Sequence, residues 1–124
     1  MKPFLTLAAI TLCMAPADAL RAEAPVPVLE IVSFRLNSGI SENAFLDAAA
    51  GTEAMLRERG ALIRRYLVRD ADGLWTDVIE WSSMSAALEA AEAVMQHPDF
   101  APFGGMIDET SVDMRHATIR WRMD

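Results

Sequence analysis

Apolar and polar positions divide the chain into one continuous apolar run near its start and a series of short periodic segments after it. From Val28 to Leu36 apolar side chains fall on both alternations. Val28, Val32, Phe34 and Leu36 lie on one and Leu29 and Ile31 on the other, the pattern of a strand covered on both faces. Asn37-Ser38-Gly39 breaks this strand, Ser41 stands where a helix needs its N-cap, and Ile40 is placed to staple onto Phe45. Phe45, Ala48, Ala49, Thr52, Met55 and Leu56 follow at helical spacing, which predicts one helix with a single buried stripe, closed by Gly60. Leu62 to Arg69 and Leu74 to Trp81 read as strands, with Asp70-Ala71-Asp72-Gly73 between them as a tight hairpin. Ser82 or Ser83 caps a second helix with Met84, Leu88, Ala91, Val94 and Met95 as its inner stripe, ended by Pro98. Asp99 to Met106 reads as a short irregular helical turn and Ser111 to Trp121 as the last strand.

The order β-α-β-β-α-β predicts an α+β, ferredoxin-like fold: a four-stranded antiparallel sheet with two helices on one face. Right-handed crossovers place the first strand centrally, beside the third and the fourth. Two helices cover only one face of such a sheet, and the other still carries apolar residues, arginines and tryptophan. A domain of this size buries only about two-thirds of its unfolded surface by itself. Both points predict a homodimer formed through the sheet face.

The early apolar run has a different meaning. Met1-Lys2-Pro3, the apolar stretch Phe4 to Ala15 and the small-x-small triplet Ala17-Asp18-Ala19 have the order of a secretory signal. We expect residues 1–19 to be removed, with cleavage after Ala24 as the second choice, residues 20–27 to be a linker and residues 28–124 the domain. A run of about twelve apolar residues falls short of the roughly twenty that span a bilayer, so no stable membrane anchor is expected and the location is periplasmic or secreted. Leu12 precedes Cys13 where a lipoprotein would carry a small residue.

Composition narrows the chemistry. The net charge of −7 argues against nucleic acid as a partner. The one lysine, Lys2, and the one cysteine, Cys13, both lie in the leader, so the domain has no disulfide, thiol nucleophile or Schiff-base lysine. Phosphate loops, nucleophile elbows and zinc signatures are absent from the sequence. Glu30 is the ionisable residue within the alternation Val28, Val32, Phe34, Leu36, and a carboxylate there must find a partner or take up a proton. His116, on the same alternation as Val112 and Met114 of the fourth strand, can face it. The pair is either a general base with its orienter or a hydrogen-bonded core pair. Asp77 and Glu80, with Arg64, Arg65 and Arg35 nearby in this topology, form a pocket wall or cross-strand ion pairs at the dimer interface. Trp75 and Trp81 share an alternation and offer an aromatic shelf for a planar ligand, or are large core residues. Met95-Gln96-His97 and Met114-Arg115-His116 repeat a Met-x-His spacing compatible with copper, although Met55, Met84 and Met95 fall on core stripes.

The strand Val28–Leu36, the passage Trp75-Thr76-Asp77-Val78-Ile79-Glu80-Trp81-Ser82, the turn His97-Pro98-Asp99-Phe100-Ala101-Pro102-Phe103 and Met114-Arg115-His116 together resemble the dimeric α/β barrel superfamily, and within it the antibiotic biosynthesis monooxygenase-like domains. The resemblance implies a homodimer with an apolar pocket between sheet and helices, lined by Trp81, Asp77, Arg65, Phe100 and Phe103. It also implies a small apolar, aromatic or quinone-like ligand and, for the cofactor-free oxygenases of the group, no cofactor and no metal. In such an oxygenase His116 and Glu30 would take the substrate proton. The competing expectation is a non-catalytic periplasmic binding or structural dimer. The haem-degrading branch fits less well: Trp81 matches its tryptophan, but Gly104 stands in place of its iron-ligating histidine, and Ser33 or Phe34 in place of its asparagine.

Overall fold

The computed structural model describes residues 25–124, and the expected signal, both cleavage sites and the first part of the linker lie outside these residues. Four strands, β1 (Val28–Phe34), β2 (Leu62–Arg69), β3 (Trp75–Trp81) and β4 (Asp113–Thr118), form one antiparallel sheet in the order β2-β3-β1-β4. The helices α1 (Glu42–Ala50), α2 (Glu53–Arg57), α3 (Met84–Gln96) and α4 (Ala101–Gly104) complete the order expected of a ferredoxin-like fold. β1 is central, between β3 and β4, as the crossover rule requires.

Local chemistry explains most boundaries. The Ser41 hydroxyl accepts the amide of Ala44, and the Ser83 hydroxyl that of Ala86, so Ser83 rather than Ser82 caps α3. In the hairpin the Asp70 carboxylate accepts the amides of Asp72 and Leu74, and Gly73 takes the positive φ of 82° that the turn needs. Gly60, at φ 72°, closes the helical segment as expected.

The predicted single helix is in fact two. After Gly51 the Thr52 amide and hydroxyl both donate to the carbonyl of Ala49, the hydroxyl at 2.6 Å, and the chain turns before α2 starts. A side chain that bonds back to its own helix competes with the helical ladder, and here it wins. The stripe of α3 is also corrected. Ala87 and Ala90 are buried, with Ala91 and Val94 half-buried beside them, whereas Met84, Leu88 and Met95 are exposed. Large residues attract a periodicity reading, but the alanines let the helix approach the sheet. At the ends, β1 stops at Phe34, with Leu36 bridging to Ile107, and β4 spans Asp113–Thr118, not Ser111–Trp121.

Beneath the helices lie two apolar clusters. One contains Phe34, Phe45, Ala49, Trp75 and Phe103, and the other Val28, Met55, Leu56, Ile79, Trp81, Ala87 and Ala90. The opposite sheet face is uncovered in the protomer: Tyr66 is 56% exposed and Val68 50%.

Candidate functional site

The helix-facing side of the sheet carries Val28, Glu30, Val32 and Phe34 from β1 and Trp75, Asp77, Ile79 and Trp81 from β3, which follows from the two-residue period and the register Val32 to Asp77 and Glu30 to Ile79. Between this face and the helices lies a cavity of about 460 Å³, within the range of small-molecule sites. Its wall is predominantly apolar, and its polar members are Glu30, Thr52, Arg65, Asp77 and Glu109, with the Trp81 indole. Trp81, Asp77, Arg65, Phe100 and Phe103, expected together from the resemblance, all border it. Trp75 does not, because it packs edge-on to Phe45 at 4.9 Å in the other cluster, so the two tryptophans form no common shelf.

Glu30 and His116 meet as their strands predict. They are directly paired in the β1–β4 register, and Nε2 of His116 lies 3.0 Å from Oε2 of Glu30. Glu30 borders the cavity, with His116 bonded to it from the edge strand. Burial pushes the Glu30 carboxyl above the usual carboxylate range. The hydrogen bond and charge of His116 oppose this, Asp77 adds to it, and Arg65 reduces it.

Arg65 makes a fork to Asp77, Nε to Oδ1 at 2.9 Å and Nη2 to Oδ2 at 2.7 Å. Its Nη1 donates to the Thr52 hydroxyl at 2.8 Å, and its guanidinium lies over the Phe103 ring, 5.3 Å from the centroid. A bulge puts it there. Leu62 pairs with Trp81, but Arg64 pairs with Glu80 and Arg65 with Ile79, so one extra residue on β2 reverses the alternation. Without it Arg64 would face the helices; with it Arg65 does.

The second acidic residue of β3 is elsewhere. Glu80 lies on the opposite sheet face, where Arg122 donates to Oε1 and Nε of Arg64 stands 3.3 Å from Oε2 without hydrogen-bond alignment. Asp77 and Glu80 therefore share no wall. Arg35 joins neither, because it donates to the carbonyl of Asp72 at the hairpin. The two Met-x-His segments also differ in role. Met95 and Met114 both border the cavity, while His97 Nδ1 accepts the amide of Asp99 and His116 holds Glu30. No three His, Cys, Asp or Glu side chains cluster to hold a metal among the described residues.

Sequence reasoning missed Thr52 as a cavity residue and the alanines Ala90 and Ala91 that give the cavity its room. Gly51-Thr52 inside a helical pattern was the available signal for the first. Gly104 is tightly constrained: a Cβ there would meet the Phe100 ring at 2.5 Å. The position that the haem-degrading branch gives to histidine thus cannot carry a side chain without displacing Phe100.

No protein-family model matches the sequence, and no curated protein matches it. Solved structures do. A putative antibiotic biosynthesis monooxygenase from Bordetella bronchiseptica superimposes with a TM-score of 0.63 at 16% identity, over 74% of this chain and 95% of that one. A point mutant of SnoaB, a cofactor-independent oxygenase from Streptomyces nogalater, gives 0.61 at 17% identity, over 78% of this chain and 96% of that one. A dimeric ferredoxin-like protein of unknown function from Thermobifida fusca gives 0.57 at 12% identity, over 77% and 92%. At such identities the likeness defines the fold. The chain has the ferredoxin-like fold of these proteins.

Proposed function

We propose that the protein is exported, pairs with a second copy through its open sheet face, and binds a small aromatic or quinone-like molecule in the cavity, which it oxidises without a cofactor. The carrying observation is the Glu30–His116 pair at the wall of an otherwise apolar cavity, 3.0 Å between Nε2 and Oε2. Support for the pairing comes from the exposed Tyr66 and Val68 on the open face and from a structural neighbour described as dimeric.

In this reading Glu30 is the base, because it and not His116 borders the cavity, and His116 orients it. Glu30 takes one proton from an acidic CH2 flanked by aromatic or carbonyl groups, and the apolar wall denies the carbanion water. Dioxygen accepts the carbanion's electrons and forms the new C–O bond. The resulting peroxide regains a proton, then loses water to leave a carbonyl, so one oxygen atom enters the product and the other leaves as water. Because burial raises the proton affinity of Glu30, its ionised form, and with it turnover, develops above the ordinary carboxylate range.

The test is oxygen uptake by the purified protein with a panel of anthrones and hydroquinones. Turnover lost in Glu30→Gln and weakened in His116→Ala, with the fold retained, is the expected result. Tight binding without oxygen uptake would instead make the protein a non-catalytic binding dimer. A monomer in solution would remove the pairing, and an amino terminus at Met1 in the recovered protein would remove export by cleavage.

A further inference from the structure

The cavity has an unbalanced inventory of charge. Arg65 is the one cationic side chain bordering it among the described residues, against three carboxylates, Glu30, Asp77 and Glu109. Arginine is the usual receptor for a ligand carboxylate, and it binds through the same planar fork that matches both oxygens. Here that fork is already occupied. Nε and Nη2 are bound to the two oxygens of Asp77, and Nη1 to Thr52, whose hydroxyl is itself anchored on the Ala49 carbonyl at 2.6 Å. The clamp is held on three sides, with the Phe103 ring beneath it and only 17% of the arginine side chain exposed. Glu30 stands on the same face as Asp77, on the neighbouring strand, and is hydrogen-bonded to His116 Nε2 at 3.0 Å.

From this geometry we infer that Asp77 is a specificity-determining residue: by filling the arginine fork it closes the cavity to anionic ligands and reserves it for uncharged ones. An anion entering the wild-type cavity meets carboxylates and a guanidinium whose Nε–Nη2 fork and charge are already matched by Asp77, and both effects disfavour it. An uncharged carbon or oxygen acid meets neither penalty and still delivers its proton to Glu30. This inference rests on the small-molecule reading of the cavity and adds to it the charge class of the ligand and the residue that sets it.

Two probes of the same ring size separate the possibilities: 2-acetylnaphthalene, uncharged, and 2-naphthoate, anionic at pH 7.5. Each is titrated calorimetrically into the full-length protein and its variants. The wild type binds the ketone and takes the carboxylate at least tenfold more weakly. In Asp77→Asn the arginine fork is released, so naphthoate tightens at least tenfold relative to the ketone. The double variant Arg65→Leu with Asp77→Leu leaves no unpaired charge and serves if the single variant fails to fold. It still binds naphthoate at least tenfold more weakly than the ketone, because the admitting group is gone. Equal affinity of the wild type for both probes overturns the inference. So does a folded Asp77→Asn that gains nothing for naphthoate, and so does a double variant that gains it. Binding of neither probe to the wild type removes the cavity as a ligand site altogether, an outcome distinct from the others.

Discussion

The same sheet face supports a solid half and a hollow half. Under α1 and α4 the gap is filled by rings: Phe45 stacks on Phe103 at 5.0 Å and meets Phe34 and Trp75 edge-on at 5.7 and 4.9 Å. On the α3 side the helix presents Ala90 and Ala91, and the space beside those small side chains is the cavity, which Phe34 and Phe103 border from the aromatic side. Strand residues of similar bulk line both halves, so the difference is made by what the helices contribute. Ring-on-ring packing is concentrated in the first half. In the second, a cavity remains beside the buried residues, and its polar groups are paired: Arg65 with Asp77 and Thr52, and Glu30 with His116. The lesson is that a small domain can keep a site by securing its stability beside it.

The strongest challenge to this contrast is removal of Phe45, which is fully buried at the centre of the solid half. Phe45→Ala should cost about 3–5 kcal/mol, the usual range for a buried phenylalanine, in denaturant unfolding. A loss below about 1 kcal/mol would mean that the aromatic half is not the stabilising one. In the hollow half the costly change is electrostatic. Arg65→Leu strands Asp77 beneath the helices and should lower stability by about 3 kcal/mol, the cost of breaking a buried pair from one side, while the double leucine variant recovers most of the loss. Failure of that recovery would show that Arg65 acts through packing on Phe103 rather than through Asp77.

Filling the cavity should have a smaller effect on stability than either. Ala91→Leu adds bulk where there is room, so unfolding should shift by no more than about 1 kcal/mol, while affinity for an apolar probe such as 2-acetylnaphthalene drops at least tenfold. Unchanged affinity would place the ligand elsewhere.

The smallest effect is on the pH dependence. Burial raises the native pKa of Glu30 above its ordinary value of 4.5, so the folded state holds this proton more tightly than the unfolded chain. The stability Glu30 contributes is therefore full below about pH 4.5 and is lost as the pH rises through its native pKa. Glu30→Gln should flatten that part of the stability curve, measured by denaturant midpoints from pH 4 to 8. An identical slope in the variant would assign the titration to another group.

Much of the site was legible in the chain. Glu30 interrupts an apolar alternation, His116 sits on the matching alternation of a strand that the crossover rule places alongside, and the two meet. The irregular helical turn after Pro98 was readable too, and the resemblance named its Phe100 and Phe103 as pocket residues. Other features were misread. Asp77 and Glu80 look like one acidic pair in sequence, yet three residues apart on a strand means opposite faces. That parity was available, and it rules out a common wall. For α3 the large residues suggested the inner stripe, but helix approach to the sheet is set by the smallest side chains, here Ala87 and Ala90.

By itself, then, the sequence determines the order of elements, the central place of β1 and the meeting of Glu30 with His116. Periodicity, capping residues and connection handedness are local or nearly local properties, and they act on each segment wherever it lies. Only the tertiary structure decides that Arg65 and not Arg64 faces the helices, because one bulged residue opposite β3 inverts the alternation. It likewise decides that the space under α3 stays open. An unfilled volume belongs to no residue; it is the difference between what strands and helices offer when they are brought together.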